Sequence, residues 1–378
     1  MIIKNVNIVL KDEVVFGSVF IEDGIISEIS TEQSTNEKAV DGKEGYLVAG
    51  AIEMHTDNMD LYFTPRPGIQ WPSLSAMHAH DSQVISAGIT TICNAITVGD
   101  KKSGGSRMEN LKRMVDMVNL FQEKSLGRAE HFLHLRCEVP NEKTFEYFEN
   151  LMENSLIKLV SLMDHSPGQR QFAKIDEYKK YYKKTYLMND DEMDLYIAEQ
   201  KAQGTAVATE NRNKIATICN VKGITLASHD DATLEHVMES KALNNKIAEF
   251  PTTLIAAKES HKNGMAVVMG APNVVRGGSH SGNLAVHELA THNVLDILSS
   301  DYFPFSLLEA VFILANDDRN DFTIPQAMAL VSCNPATALG LNDRGEIAVN
   351  KRADLVLCKF KEGVLFRENV WVKGKQVF

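Results

Sequence analysis

No run of the chain reaches the roughly 18 consecutive apolar residues that a membrane helix requires. Residues Met1 to Leu10 alternate apolar and polar side chains and lack the continuous apolar core of a secretion signal. Both absences point to a cytoplasmic protein that does not enter a membrane. Cysteine is scarce. Cys93, Cys137, Cys219, Cys333 and Cys358 are odd in number and scattered, with no paired metal-binding spacing, so they read as small core residues of a reducing compartment. Positive charge is in deficit: 39 Lys and Arg stand against 50 Asp and Glu, a net charge of −11. That balance argues against a general nucleic-acid or anionic-membrane binder. It leaves room for a small anionic substrate, because a bound metal reverses the local field. A Gly-rich phosphate fingerprint is also missing after the first strand-like run, which weakens the case for a doubly wound dinucleotide fold.

What is present is an ordinary globular mix of 44% apolar and 24% charged residues over 378 positions, enough for a large barrel and a small companion domain. Both termini read as β-structure. Val14 to Ile21 is β-rich, Glu22-Asp23-Gly24 marks a hairpin turn, and Gly345 to Phe378 repeats the pattern. One small β-sandwich domain built from residues 1–49 and 343–378 is expected. Between them, apolar runs near 47–54, 89–96, 131–138, 157–163, 224–228, 246–250, 265–269 and 294–300 alternate with helical patterns. Eight such runs predict an α/β fold, a parallel (β/α)8 TIM-like barrel over 50–342. The charged, Tyr-rich interval of about 170–220, with Lys179, Lys180, Lys183 and Lys184, reads as a helical insertion, either a lid or a solvated hairpin.

In such a barrel, chemistry sits at the C-terminal ends of the strands. The first run ends in His55-Thr56-Asp57, two positions apart and so on one face of an extended strand. The third ends in Glu138, the fourth in Asp164-His165, the fifth in His229-Asp230-Asp231 and the eighth in Ser300-Asp301. His55, Asp57, Glu138, His165, His229 and Asp301 form a mixed imidazole and carboxylate set for one or two divalent ions, with Glu138 as a candidate bridge. Zinc leads, and manganese or iron fits the same ligands. His78 and His80 imitate a pair, yet Ser73 as N-cap and Gly88 as C-cap predict a helix over 74–87, on which residues two apart diverge.

Several motifs resemble the amidohydrolase superfamily: Gly50-Ala-Ile-Glu-Met-His55-Thr-Asp57, Ala87-Gly88-Ile-Thr-Thr91, Asn334-Pro-Ala-Thr-Ala-Leu-Gly-Leu341, and the closing Gly345-Glu-Ile with Ala353-Asp-Leu-Val. The match is closest to the phosphonate-pathway branch, the PhnM-type diphosphatases. It rests on Ala79-His80-Asp81-Ser-Gln83, Asp164-His165-Ser-Pro-Gly-Gln169, Ser228-His229-Asp230-Asp231, Glu249-Phe-Pro-Thr, Gly270-Ala-Pro-Asn273 and Arg276-Gly-Gly-Ser279-His280-Ser-Gly-Asn283. The resemblance implies hydrolysis of α-D-ribose 1-methylphosphonate 5-triphosphate to pyrophosphate and the 5-phosphate. Two departures from the wider superfamily stand out. The usual His-x-His is His55-x-Asp57, and Glu138 stands where many members carry a carboxylated lysine. His165 and His229 follow the fourth and fifth runs, where most members use the fifth and sixth; either a strand is miscounted or the second metal site is rearranged, and in the latter case Glu249 is a further candidate ligand.

On this reading Asp301 takes the proton of a metal-activated water. Arg66, Arg170, Asn273, Arg276, Ser279 and His280 bind the substrate, Asn273 at a ribose hydroxyl or a phosphate and the last three in a Gly/Ser loop suited to an anion. Asn58 and Gln83 are further polar candidates, and His80 is expected to approach the site. Barrels of this kind commonly pair, so a homodimer is expected. The rival readings are a cyclic amidase or deaminase, a broad nucleotide pyrophosphohydrolase, and a metal-free scaffold subunit.

Overall fold

A computed structural model of the chain describes residues 1–99, 106–170, 175, 179, 189–279 and 283–378. Its strands are β1 Ile2–Val9, β2 Val14–Glu22, β3 Ile25–Ser30, β4 Val40–Asp41, β5 Tyr46–Ala49, β6 Ala51–Thr56, β7 Ile89–Val98, β8 Glu130–Glu138, β9 Ile157–Met163, β10 Thr225–His229, β11 Ile247–Glu249, β12 Ala266–Gly270, β13 Ile297–Ser299, β14 Leu355–Lys361, β15 Val364–Val372 and β16 Lys375–Gln376. They fall into two sheets. One runs β16-β15-β14-β5-β1-β2-β3, with β4 on β1; the other runs in chain order from β6 to β13.

The second sheet is the expected nearly closed eight-stranded parallel barrel. A parallel bridge between Thr56 and Asp301 joins its first and last strands. Its strands are mainly apolar, and every residue of β6 is buried. That is the composition of parallel strands covered on both faces. The sandwich expected of the two termini takes the form of one continuous mixed sheet. It buries Ile3, Val6, Ile8, Val19, Ile26, Leu47, Leu355 and Trp371 in a core of its own.

One boundary differs from expectation. The run near 47–54 is two strands: β5 pairs β1 and β14 in the terminal sheet, while β6 opens the barrel. Gly50 makes the step between them. A Cβ there would lie 2.3 Å from Thr90 Oγ1, so only glycine fits. The predicted helix over 74–87 is observed as Ser73–Ser86, with Pro72 at the cap position and Ser73 already helical. Gly88, at φ 82°, turns the chain into β7.

The insertion contains a 33-residue helix, Asp190–Lys222, opened by an Asn189–Glu192 capping box and closed by left-handed Gly223. Lys179 pairs with Asp194 at 2.5 Å. The Tyr178–Tyr186 cluster and Lys180, Lys183 and Lys184 lie outside the described residues. The five cysteines are unpaired, and all but Cys333 are buried. No helix among the described residues is long and apolar enough to cross a membrane.

The chain divides into two compact units. One comprises Met1–Ala95, Met114–Leu133 and Val268–Phe378; the other comprises Ile96–Arg113 and His134–Val267. Each carries a cluster of side chains that could hold a metal ion.

Candidate metal centre

In the first unit, His55, Asp57 and Asp301 each offer one ligand atom, all within 4.8 Å of one another. His55 is buried and Asp57 half-exposed, with His55 Nε2 4.0 Å from Asp57 Oδ1. The backbone fixes this geometry. Asp301 N–H donates to His55 O at 3.0 Å, and Asp57 N–H donates to Asp301 O at 3.2 Å. Asp301 has φ 54°, a left-handed turn that Asp and Asn tolerate better than other side-chain-bearing residues. Beneath the group, the fully buried Glu53 accepts His55 N–H at 2.6 Å and Ser300 N–H at 2.7 Å. Burial pushes its carboxyl up to about 8.

In the second unit, the ligand atoms of His165, His229 and Asp230 likewise lie within 4.8 Å of one another. Asp230 Oδ2 is 3.8 Å from His165 Nε2 and 3.6 Å from His229 Nε2. Each imidazole is held from behind by a glutamate. His165 Nδ1 is 2.7 Å from Glu138 Oε2, and His229 Nδ1 is 2.9 Å from Glu249 Oε2. Donating Nδ1–H to these carboxylates leaves the Nε2 lone pairs directed at Asp230, the usual arrangement behind a metal-ligating histidine. Burial holds the His229 imidazole well below its ordinary range. It is therefore neutral, as a ligand must be. Both groups fit a divalent cation on donor chemistry, since mixed nitrogen and oxygen sets of this size suit zinc, manganese or iron.

Four expectations change. Glu138, expected as a bridging ligand, has both oxygens on His165, because Oε1 also accepts the His165 backbone N–H at 3.0 Å. The third place in that group goes to Asp230, which alternation on an extended strand turns away from His229. Asp230 has φ 57°, and this left-handed turn brings its carboxylate round. Arg170, expected on the substrate, is buried; it donates to Asp231, to His229 O at 3.3 Å and to Glu239 at 3.0 Å. Asn273 is occupied by backbone: its Nδ2 donates to Leu284 O at 3.2 Å, and its Oδ1 accepts Val286 N–H at 3.1 Å.

Arg66 and Arg276 are exposed and Ser279 half-buried, while His280 lies outside the described residues. Asn58 donates to Gln83 at 3.3 Å. His80 is fully buried and hydrogen-bonded to Asn94 at 3.0 Å, so it does not reach the group as expected. Burial, and the neighbouring His131, hold it at about 3. His78, by contrast, is exposed. His78→Ala is therefore expected to leave bound-metal stoichiometry unchanged by elemental analysis; loss of an equivalent would contradict the helix-face argument. The strand count stands, with His165 and His229 following the fourth and fifth barrel strands.

The amidohydrolase family profile matches residues 46–377. The chain belongs to the amidohydrolase family. This amidohydrolase is 52% identical over 378 residues, all of both chains, to an α-D-ribose 1-methylphosphonate 5-triphosphate diphosphatase of Escherichia coli (strain K12). It is 22% identical to a dihydroorotase of Methanosphaera stadtmanae, over 95% of this chain and 87% of that one. Among solved structures, a 5-methylcytosine deaminase from Klebsiella pneumoniae superposes with TM-score 0.67 at 11% identity, covering 100% of this chain and 97% of that one. An N-acetylglucosamine-6-phosphate deacetylase from Thermotoga maritima gives 0.59 at 17%, covering 100% and 99%. At such identities the likeness to these two structures is one of fold.

Proposed function

We propose that this amidohydrolase hydrolyses α-D-ribose 1-methylphosphonate 5-triphosphate, breaking the anhydride between the α and β phosphoryl groups. It releases pyrophosphate and leaves the 5-phosphate. The observation that carries this reading is the full-length 52% identity to a diphosphatase of that specificity. On this reading His55, Asp57 and Asp301 hold one divalent ion, and His165, His229 and Asp230 hold another, with zinc the first candidate. Bound there, such an ion supplies Lewis acidity and makes water acidic near neutral pH. Asp301 accepts the proton of the attacking water through its carboxylate. Glu138 and Glu249 accept from Nδ1–H, which fixes the tautomer that leaves each Nε2 free to ligate and orients the rings. Arg66, on the connection after β6, and Arg276, after β12, face solvent and are placed in this reading on the triphosphate, where guanidinium forks match phosphoryl oxygens. Ser279 and His280 complete that loop's anion contacts. The enzyme works as a cytoplasmic homodimer.

The test is phosphorus NMR on metal-analysed protein, given the ribose phosphonate triphosphate and, in parallel, ATP. Pyrophosphate from the first and little from ATP is the expected result. Equal release from both would replace the reading with a general triphosphate pyrophosphohydrolase. No release from metal-loaded protein would turn attention to amide or amine substrates, assayed as ammonia release.

A further inference from the structure

Beside the His165–His229–Asp230 group lies a buried ionic network that the proposed reaction does not use. Arg170 and Arg212 are only 4% and 7% exposed. Arg170 pairs with Asp231, the residue after Asp230. Arg212 Nη2 donates to Asp164 Oδ2 at 3.2 Å, and Asp164 is the residue before His165. A single carboxylate joins the two arginines. Glu239 Oε2 accepts from Arg170 Nη2 at 3.0 Å, and Glu239 Oε1 accepts from Arg212 Nη1 at 2.9 Å. Glu239 sits on the helix Leu234–Ala242, which follows β10.

The remaining acceptor positions are also taken. Asp164 Oδ1 accepts Ser166 N–H at 3.1 Å, and Asp231 Oδ2 accepts the Ser240 hydroxyl at 2.9 Å. The loops after β9 and β10 are thus each gripped one residue away from a group member, and the two grips meet at one carboxylate.

We infer that Glu239 is a positioning residue for the second metal-binding group: by bridging Arg170 and Arg212 it sets the separation of His165 from Asp230. The inference rests on the metal reading proposed above and adds to it. Two buried guanidiniums repel each other unless an anion lies between them. With Glu239 neutral they separate, and each takes its aspartate and the adjoining loop along. The consequence falls on metal affinity before it falls on stability, because Asp164 and Asp231 still neutralise the two arginines one to one. Glu239 itself is 39% exposed, so its removal opens no core cavity.

Glu239→Gln keeps the size and removes the charge. Glu153→Gln is the control; it breaks an exposed pair with Lys222 at 2.9 Å in the same unit. Zinc is titrated into the full-length metal-free proteins against a chromophoric chelator, and thermal unfolding of the same metal-free samples is followed. The expected result is that Glu239→Gln weakens one zinc equivalent by about 10- to 100-fold, the range found for outer-shell partners of metal ligands. The other equivalent and the control stay unchanged, and the melting temperature falls by no more than about 2 °C. Unchanged zinc affinity in Glu239→Gln, with or without a lower melting temperature, overturns the positioning role while leaving the metal reading intact. No zinc uptake by the unaltered protein overturns the metal reading and this inference with it.

Discussion

Asp301→Asn is expected to lower kcat for the ribose phosphonate triphosphate by about 10³-fold, within the range for losing a positioned general base. The substitution isolates chemistry from folding for a structural reason. Asp301 occupies a left-handed turn at φ 54°, and asparagine is one of the few residues that tolerates that conformation well. The backbone hydrogen bonds that tie this turn to His55 and Asp57 use main-chain atoms only, so they survive the change. An unfolding curve that overlays the unaltered protein, together with retention of metal by the His165–His229–Asp230 group, would show that the variant is folded. Turnover within tenfold of the unaltered enzyme would remove Asp301 as the essential base.

Glu53→Ala is expected to cost on the order of 4 kcal/mol of stability, read as a lower urea midpoint. Two buried backbone donors, on His55 and Ser300, lose their acceptor at once, and each unsatisfied donor costs about 1–3 kcal/mol. Glu53→Gln should fall between: its amide oxygen serves one N–H, while its NH2 faces the other. A midpoint for Glu53→Ala indistinguishable from that of the unaltered protein would show that the Glu53 carboxyl group carries no such burden.

Much of this molecule is legible from the order of its side chains. Eight mainly apolar runs mark the barrel strands, because parallel strands are covered on both faces, and five of them end in His, Asp or Glu. The divide between β5 and β6 is hidden, since Tyr46–Ala49 and Ala51–Thr56 read as one apolar run; only the close approach of Thr90 to Gly50 separates them. His55, Asp57, Asp301, His165 and His229 are visible as strand-end residues. Asp230 stands at the same strand end, but its place in the group depends on a positive φ that alternation does not foresee. Arg170 misleads for another reason. A guanidinium beside Gly168 and Gln169 looks made for phosphate, but its partners Asp231 and Glu239 lie 61 and 69 residues further along the chain.

The Glu53–Ser300 clamp joins residues 247 apart in sequence. Contacts that distant are slow to form, because a long loop must close before they return any free energy. His55 and Asp57 are made early in synthesis, whereas Asp301 emerges only after three-quarters of the chain. The His165–His229–Asp230 group, by contrast, needs only residues already synthesised by then. The first ligand group therefore acts as a marker of completion. A nascent or truncated chain that ends before Asp301 lacks one of the three residues of the first group, and with it the base proposed above.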